Sequence, residues 1–169
     1  MIIFNFNKDK AIELILYFAN KKCKIDKLTI LKFLFFADIY HLNIYNRPIL
    51  GGKYVAMKLG PVSSQLRDLI ERGSSDFRIQ GNTIIPSRSS DNDYFSKSDL
   101  EALEYAFNQY SQFSSVELSK ISHEHKAWIN ARKREPHSNN PDIFYEDFFE
   151  NLTEDKIIFL KENSHLMVI

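Results

Sequence analysis

The sequence predicts a mainly α fold: a single helix-dominated α+β domain over residues 1–169 with a small antiparallel hairpin. Three observations carry this. The run from Leu31 to Leu42 is helical in character and apolar almost all the way round, so neighbours must wrap it or a partner must cover it. Helix-capping residues recur ahead of apolar-periodic stretches at Asn7, Asp26, Ser98, Ser114 and Thr153. The clearest strand pair, Phe77–Gln80 and Thr83–Pro86, flanks Gly81-Asn82, a two-residue hairpin signal. With 14 Phe and 8 Tyr in 169 residues, each able to bury roughly 150–250 Å², the core is aromatic and few rings stay exposed without a purpose.

The elements follow in order. Asn7 caps a helix over about 8–22, with Ile12, Ile15, Leu16 and Ala19 on its apolar face and Glu13, Tyr17, Asn20 and Lys24 as a narrow polar stripe. Asp26 caps the second helix, which runs to about Asn46 and stops before Arg47-Pro48, since a residue preceding proline is pushed out of the α region. Gly51-Gly52 is a turn and Tyr54–Lys58 a short strand. Gly60-Pro61 places Pro61 in a first helical turn, ahead of a helix packing through Val62, Leu66, Leu69 and Ile70 and stopped by Gly73. The hairpin comes next, its leading glycine suiting a type II′ turn, followed by a polar loop over 87–93. Ser98 to Glu101 has capping-box spacing before Leu103, Phe107 and Tyr110, and Ser114 to Glu117 repeats it for a helix toward Arg134. Two short amphipathic helices close the chain, about 142–150 and 154–163.

Composition narrows function. Lys plus Arg and Asp plus Glu are both 22, and zero net charge argues against a dedicated nucleic-acid binder, whose affinity rests on phosphate neutralisation. Cys23 is the single cysteine, which excludes an intramolecular disulfide and a cysteine-rich zinc site. No apolar run reaches the roughly 18 residues of a membrane span, and the opening residues lack a signal-peptide order, so a cytoplasmic protein without a membrane partner is expected.

Chemistry-bearing residues are sparse. Asp38 and His41 share one face of the second helix at i,i+3. They read either as an acid orienting a base or as a buried polar pair that fixes helix packing, the second being preferred because no nucleophile lies near in sequence. His123 and His125 point about 200° apart on a helix and cannot readily chelate one ion. On an unbroken helix His125 falls in the stripe of Leu118, Ile121 and Trp128, and His123 outside it. No cofactor or metal is expected. Basic clusters at Lys21-Lys22-Lys24 and Arg132-Lys133-Arg134, with a winged-helix order of elements, keep DNA binding open, although Arg67 and Arg72 are balanced by Asp68 and Glu71. Phe33, Phe36 and Tyr40 gather on the far side of the second helix with Thr29, Lys32 and Asn43, the make-up of an interface core. The alternative is that C-terminal helices cover them.

Three segments in register resemble the Panacea domain, the family of SocA-like antitoxins of bacterial and phage toxin–antitoxin pairs. They are Lys32 to Asp38 with His41-Leu42; Pro48 to Leu50 with Ala56 to Val62, containing Gly60 and Pro61; and Leu118 to His123 with Trp128. The agreement spans about residues 8–135. Met57 and Leu59 stand where the family commonly has tryptophan and tyrosine, and Ser122 where it has threonine, exchanges that keep apolar or hydroxyl character. The resemblance makes His123 rather than His125 the meaningful histidine, which implies an interrupted helix there. It implies a non-enzymatic, phage-associated protein that binds and neutralises a cognate toxin encoded beside it. A protease receiving the toxin, or a second copy of the chain, would be further partners. Lys32, Asp38, His41, Gly60, Pro61, His123 and Trp128 would then be architecture, and Phe33, Phe36 and Tyr40 the partner-binding face. The rival readings are a DNA-binding regulator and a metal-dependent hydrolase using Asp38, His41 and His123.

Overall fold

A computed structural model describes residues 1–168. The fold is built on α2 (Lys27–Tyr45), buried without a break from Thr29 to Asp38. A helix this apolar has no solvent face to hold out, so α1 (Lys8–Lys21), α4 (Lys97–Tyr110), α5 (Ser115–His123) and a small sheet close around it. The expected caps form at both leading helices: Asn7 Oδ1 accepts from Lys10 N at 3.0 Å and Asp26 Oδ1 from Thr29 N at 2.7 Å. Asn46 ends α2 in the left-handed conformation, φ 61°.

β1 (Tyr54–Met57) is the expected strand, but its partner was not anticipated. Gly60–Ser63 is a second strand, β2, antiparallel to β1 with Ala56 opposite Pro61. Pro61 therefore lies in a strand and not in a helical turn. It is tolerated because β2 is an edge of the order β2-β1-β5, where a missing N–H costs no ladder bond. Val62 packs from the sheet, and α3 (Ser64–Arg72) starts only after Ser63, whose hydroxyl caps Leu66 N. The hairpin β3 (Phe77–Gln80) and β4 (Thr83–Pro86) forms in the expected register, with Gly81 at φ +63° as the turn needs. It is fastened to the segment before α2 by Ile84 N to Ile25 O at 2.9 Å and Lys27 N to Asn82 O at 2.9 Å.

Three boundaries shift for local reasons. α4 is capped by Ser96, not Ser98, because Asp99 reaches back to Ser96 N and completes the box two residues earlier. The helix expected from Ser114 to Arg134 breaks at Glu124: α5 ends at His123, and His125 caps α6 (Lys126–Arg134) by accepting from Ala127 N at 3.1 Å. No α-helix spans 142–150. Asp142–Ile143 is instead a short strand, β5, on β1, and Tyr145–Phe148 a 3-10 turn that drives Tyr145, Phe148 and Phe149 into the core. α7 (Glu154–Asn163) forms as expected under its Thr153 cap. No helix among the described residues is long and apolar enough to cross a membrane.

Candidate functional site

Four side chains from three helices close on the turn between β1 and β2. Trp128 Nε1 donates to Met57 O at 2.9 Å, His123 Nε2 lies 2.9 Å from Lys58 O, Ser119 Oγ donates to Leu59 O at 2.8 Å, and Lys32 Nζ donates to Pro61 O at 2.9 Å. A tight turn presents its carbonyls outward, and here a side chain is supplied to each of four of them. The His123 and Trp128 rings pack together at 4.4 Å, which the break after His123 permits by re-aiming α6. Gly60 sits at the centre with φ +105°; a Cβ there would lie 2.3 Å from Ser122 Oγ and 2.6 Å from Lys32 Nζ. Lys32 is fully buried, and that burial lowers its ammonium to about 7.

A second buried polar group ties the end of α2 to α1 and α4. Asp38 accepts from Ile49 N and from the Tyr54 hydroxyl, both at 2.7 Å, fixing the chain after Pro48 and the start of β1. Burial pushes its carboxyl up to about 7 against the lowering effect of those two donors. His41 places Nδ1 2.6 Å from Arg47 O and Nε2 2.9 Å from Ser98 Oγ. Burial holds its pKa below the ordinary value, so the neutral ring donates to the carbonyl and accepts from the hydroxyl. Ser98 is the hydroxyl neighbour that nearness in sequence does not reveal. Asp99 is surrounded by Lys10 Nζ at 3.0 Å, Ser96 N at 3.0 Å and Arg47 Nη2 at 3.0 Å, the last a charge contact without hydrogen-bond alignment. Although burial pushes the Asp99 carboxyl up, Arg47 and Lys10 hold it below the usual carboxylate range. Lys10, Arg47, Ser98 and Asp99 gave no sequence signal of this assembly, because pattern reading links residues on one element and these come from α1, the segment after α2, and α4.

The far side of α2 is covered at its rings by α1 and α4, and at Asn43 by the 148–150 segment, whose Phe148 O and Glu150 N bond to the Asn43 amide. Phe33 is wholly buried between Phe18 and Phe107, with centroids at 5.0 and 6.1 Å, so its ring presents no surface to a partner. Phe36 is 5% exposed and stacks on Tyr110 at 3.9 Å. Tyr40 is half-buried, stacks on Tyr105 at 4.3 Å, and donates its hydroxyl to Glu101 at 2.6 Å. Tyr45 donates to the other Glu101 oxygen at 2.7 Å. Between the two helices lies a groove of about 270 Å³ whose walls include Phe36, Ile39, Tyr40, Ile44, Tyr105 and Tyr110. Its rim faces solvent: Ile44 is 51% exposed and Tyr105 38%.

The other candidates disperse. Asp38 and His41 do not meet His123, which is held at the β1–β2 turn, and no group of three His, Cys, Asp or Glu able to hold a metal ion occurs among the described residues. Most of the basic clusters are engaged within the protein: Lys21 lies over Tyr17 and Phe107, Lys22 donates to Ser111 O, Arg132 lies over Trp128, and Arg134 pairs with Asp147 at 2.7 Å. Cys23 is exposed and unbridged. His125 lies against Phe35 at 5.4 Å, and burial lowers it to about 4.

Fold and polar clamp together define a helix-dominated domain whose hairpin turn is gripped by side chains from distant helices. The chain belongs to the antitoxin SocA-like family, Panacea domain, whose model matches residues 30–129. That span contains Lys32, Asp38, His41, Gly60, Pro61, His123 and Trp128. No curated protein and no solved structure matches the chain.

Proposed function

We propose that the protein is an antitoxin that neutralises a cognate toxin by direct binding, with the α2–α4 groove as the docking surface. Family membership implies a toxin partner in general. The single observation that carries the location is the cluster of half-exposed tyrosine and isoleucine side chains around that groove. Tyrosine concentrates in interface hot spots because it offers a large rigid ring with a polar tip at small entropic cost. The remaining signature residues are occupied with backbone carbonyls, N–H groups or each other, consistent with a scaffold that holds α2 and α4 in fixed relation.

The test is growth rescue. Co-expression with the toxic reading frame encoded beside this chain should restore growth and yield a complex that survives gel filtration. Tyr105→Ala should abolish both while shifting the thermal midpoint little, since its stack on Tyr40 contributes only about 0.5–1.5 kcal/mol. Rescue without any complex would contradict neutralisation by binding.

A further inference from the structure

The break between α5 and α6 rests on an imidazole, where helices ordinarily carry a hydroxyl, carboxylate or amide cap. His125 Nδ1 accepts from Ala127 N at 3.1 Å, which fixes the neutral tautomer with its proton on Nε2. The ring is half-buried, edge-on to Phe35 at 5.4 Å and with Phe148 at 6.0 Å. An imidazolium has two N–H donors and no acceptor, so a second proton removes this cap outright. It also sets a cation at the positive end of α6. The surroundings oppose that charge. Burial pushes the His125 pKa down, to about 4, and the Lys126 ammonium adds to the effect, against a smaller pull from Asp147. Asp147 is itself committed to Arg134 at 2.7 Å and Asn130 at 2.8 Å. On the Tyr145–Phe148 turn, Tyr145 donates to Gly52 O and Glu146 accepts from Ile2 N. On α2, Lys32 and Asp38 flank Phe35 but serve Pro61 O, Ile49 N and the Tyr54 hydroxyl. At the end of α5, His123 is held at Lys58 O and Glu124 is exposed. His125 pairs with no carboxylate among the described residues.

We propose that His125 is an acid-sensitive latch on α6: its second proton breaks the cap, frays the first turn and draws Trp128 off the β1–β2 turn. Trp128 lies on that first turn, and its Nε1 bond to Met57 O at 2.9 Å is the hold of α6 on the clamp. The same helix packs on β1, β5 and the Tyr145–Phe148 turn, so the loosening is felt at the sheet as well. The latch does not depend on the antitoxin reading.

The test compares the parent chain with His125→Asn, since asparagine is among the best caps and carries no titratable ring. The folded pKa is about 4 against an ordinary 6.5, so the unfolded chain takes up the proton first. Stability from this group is fully present above 6.5 and is lost as pH falls to about 4. Over that fall, urea-derived folding constants of the parent should drop roughly tenfold to a hundredfold more than those of His125→Asn. Other titrating groups are common to both chains and cancel in the comparison. Hydrogen-exchange protection of the Ala127 amide and of the single indole N–H, that of Trp128, should fall with pH in the parent only. Parallel profiles for the two chains would overturn the proposal. If His125→Asn does not fold, NMR titration of the parent decides. Ring protonation of His125 that coincides with lost protection at Ala127 and Trp128 supports the latch, and protonation that leaves both unchanged overturns it.

Discussion

Gly60 shows why single residues in this fold carry so much constraint. Its φ of +105° disfavours any Cβ, and the space a Cβ would take is held by Ser122 Oγ and Lys32 Nζ. Gly60→Ala should destabilise the protein by roughly 2–4 kcal/mol in chemical denaturation, through backbone strain plus displacement of the clamp. Lys32 contributes a pH signature. Its pKa is 10.5 unfolded and about 7 folded, so between those values the unfolded chain binds the extra proton. Stability from this group therefore rises with pH across that window, and the penalty is fully present below it. At about 1.4 kcal/mol per unit the gain over the whole window is at most roughly 5 kcal/mol. Denaturation midpoints measured from pH 7 to 10 should rise in the parent chain and flatten in Lys32→Met; parallel profiles would show that Lys32 keeps its ordinary pKa. At this scale the sequence was legible where a pattern named the residue. His123 and Trp128 stood out from the resemblance, whereas the helical wheel favoured His125 because it assumed an unbroken helix.

Among the elements, α4 depends on a buried charge for its placement. Asp99 closes the Ser96 capping box and at the same time pairs with Lys10 of α1 and Arg47 after α2. Asp99→Asn leaves the Lys10 ammonium, 3% exposed, without its counter-charge, and should cost about 3–5 kcal/mol in urea denaturation. A loss near zero would mean that α4 is held by its apolar face alone. Element existence was readable for α1, α2, α3, α4 and α7, where caps and 3.6-residue periodicity agree, and for the β3–β4 hairpin through Gly81-Asn82. What was not readable came from tertiary pairing. β2 exists because Gly60–Ser63 lies against β1, and Asp142–Ile143 is strand because β1 had an open edge. A helical signal over 142–150 gave way to the burial of Tyr145, Phe148 and Phe149. Local propensity is too weak to resist such pairing.

For the whole molecule, covering an apolar central helix leaves one aromatic seam incompletely closed. α4 buries Phe33 and most of Phe36, so Phe36→Ala should unfold the protein as a core truncation, costing about 3–5 kcal/mol, and is a poor probe of binding. Tyr40, Ile44 and Tyr105 are the informative positions, because they border the groove without sealing the core. The sequence named Phe33 and Phe36 for a partner face, and both are core residues, since it did not reveal how closely α4 packs there. The most direct measurement is calorimetric titration of the purified chain with its proposed toxin partner, compared with Ile44→Arg at matched thermal midpoint. The expected result is a saturable complex with micromolar or tighter affinity, at least about 8 kcal/mol, weakened about a hundredfold or more by the substitution. Equal affinity for both chains, or no binding by the parent, would contradict the account.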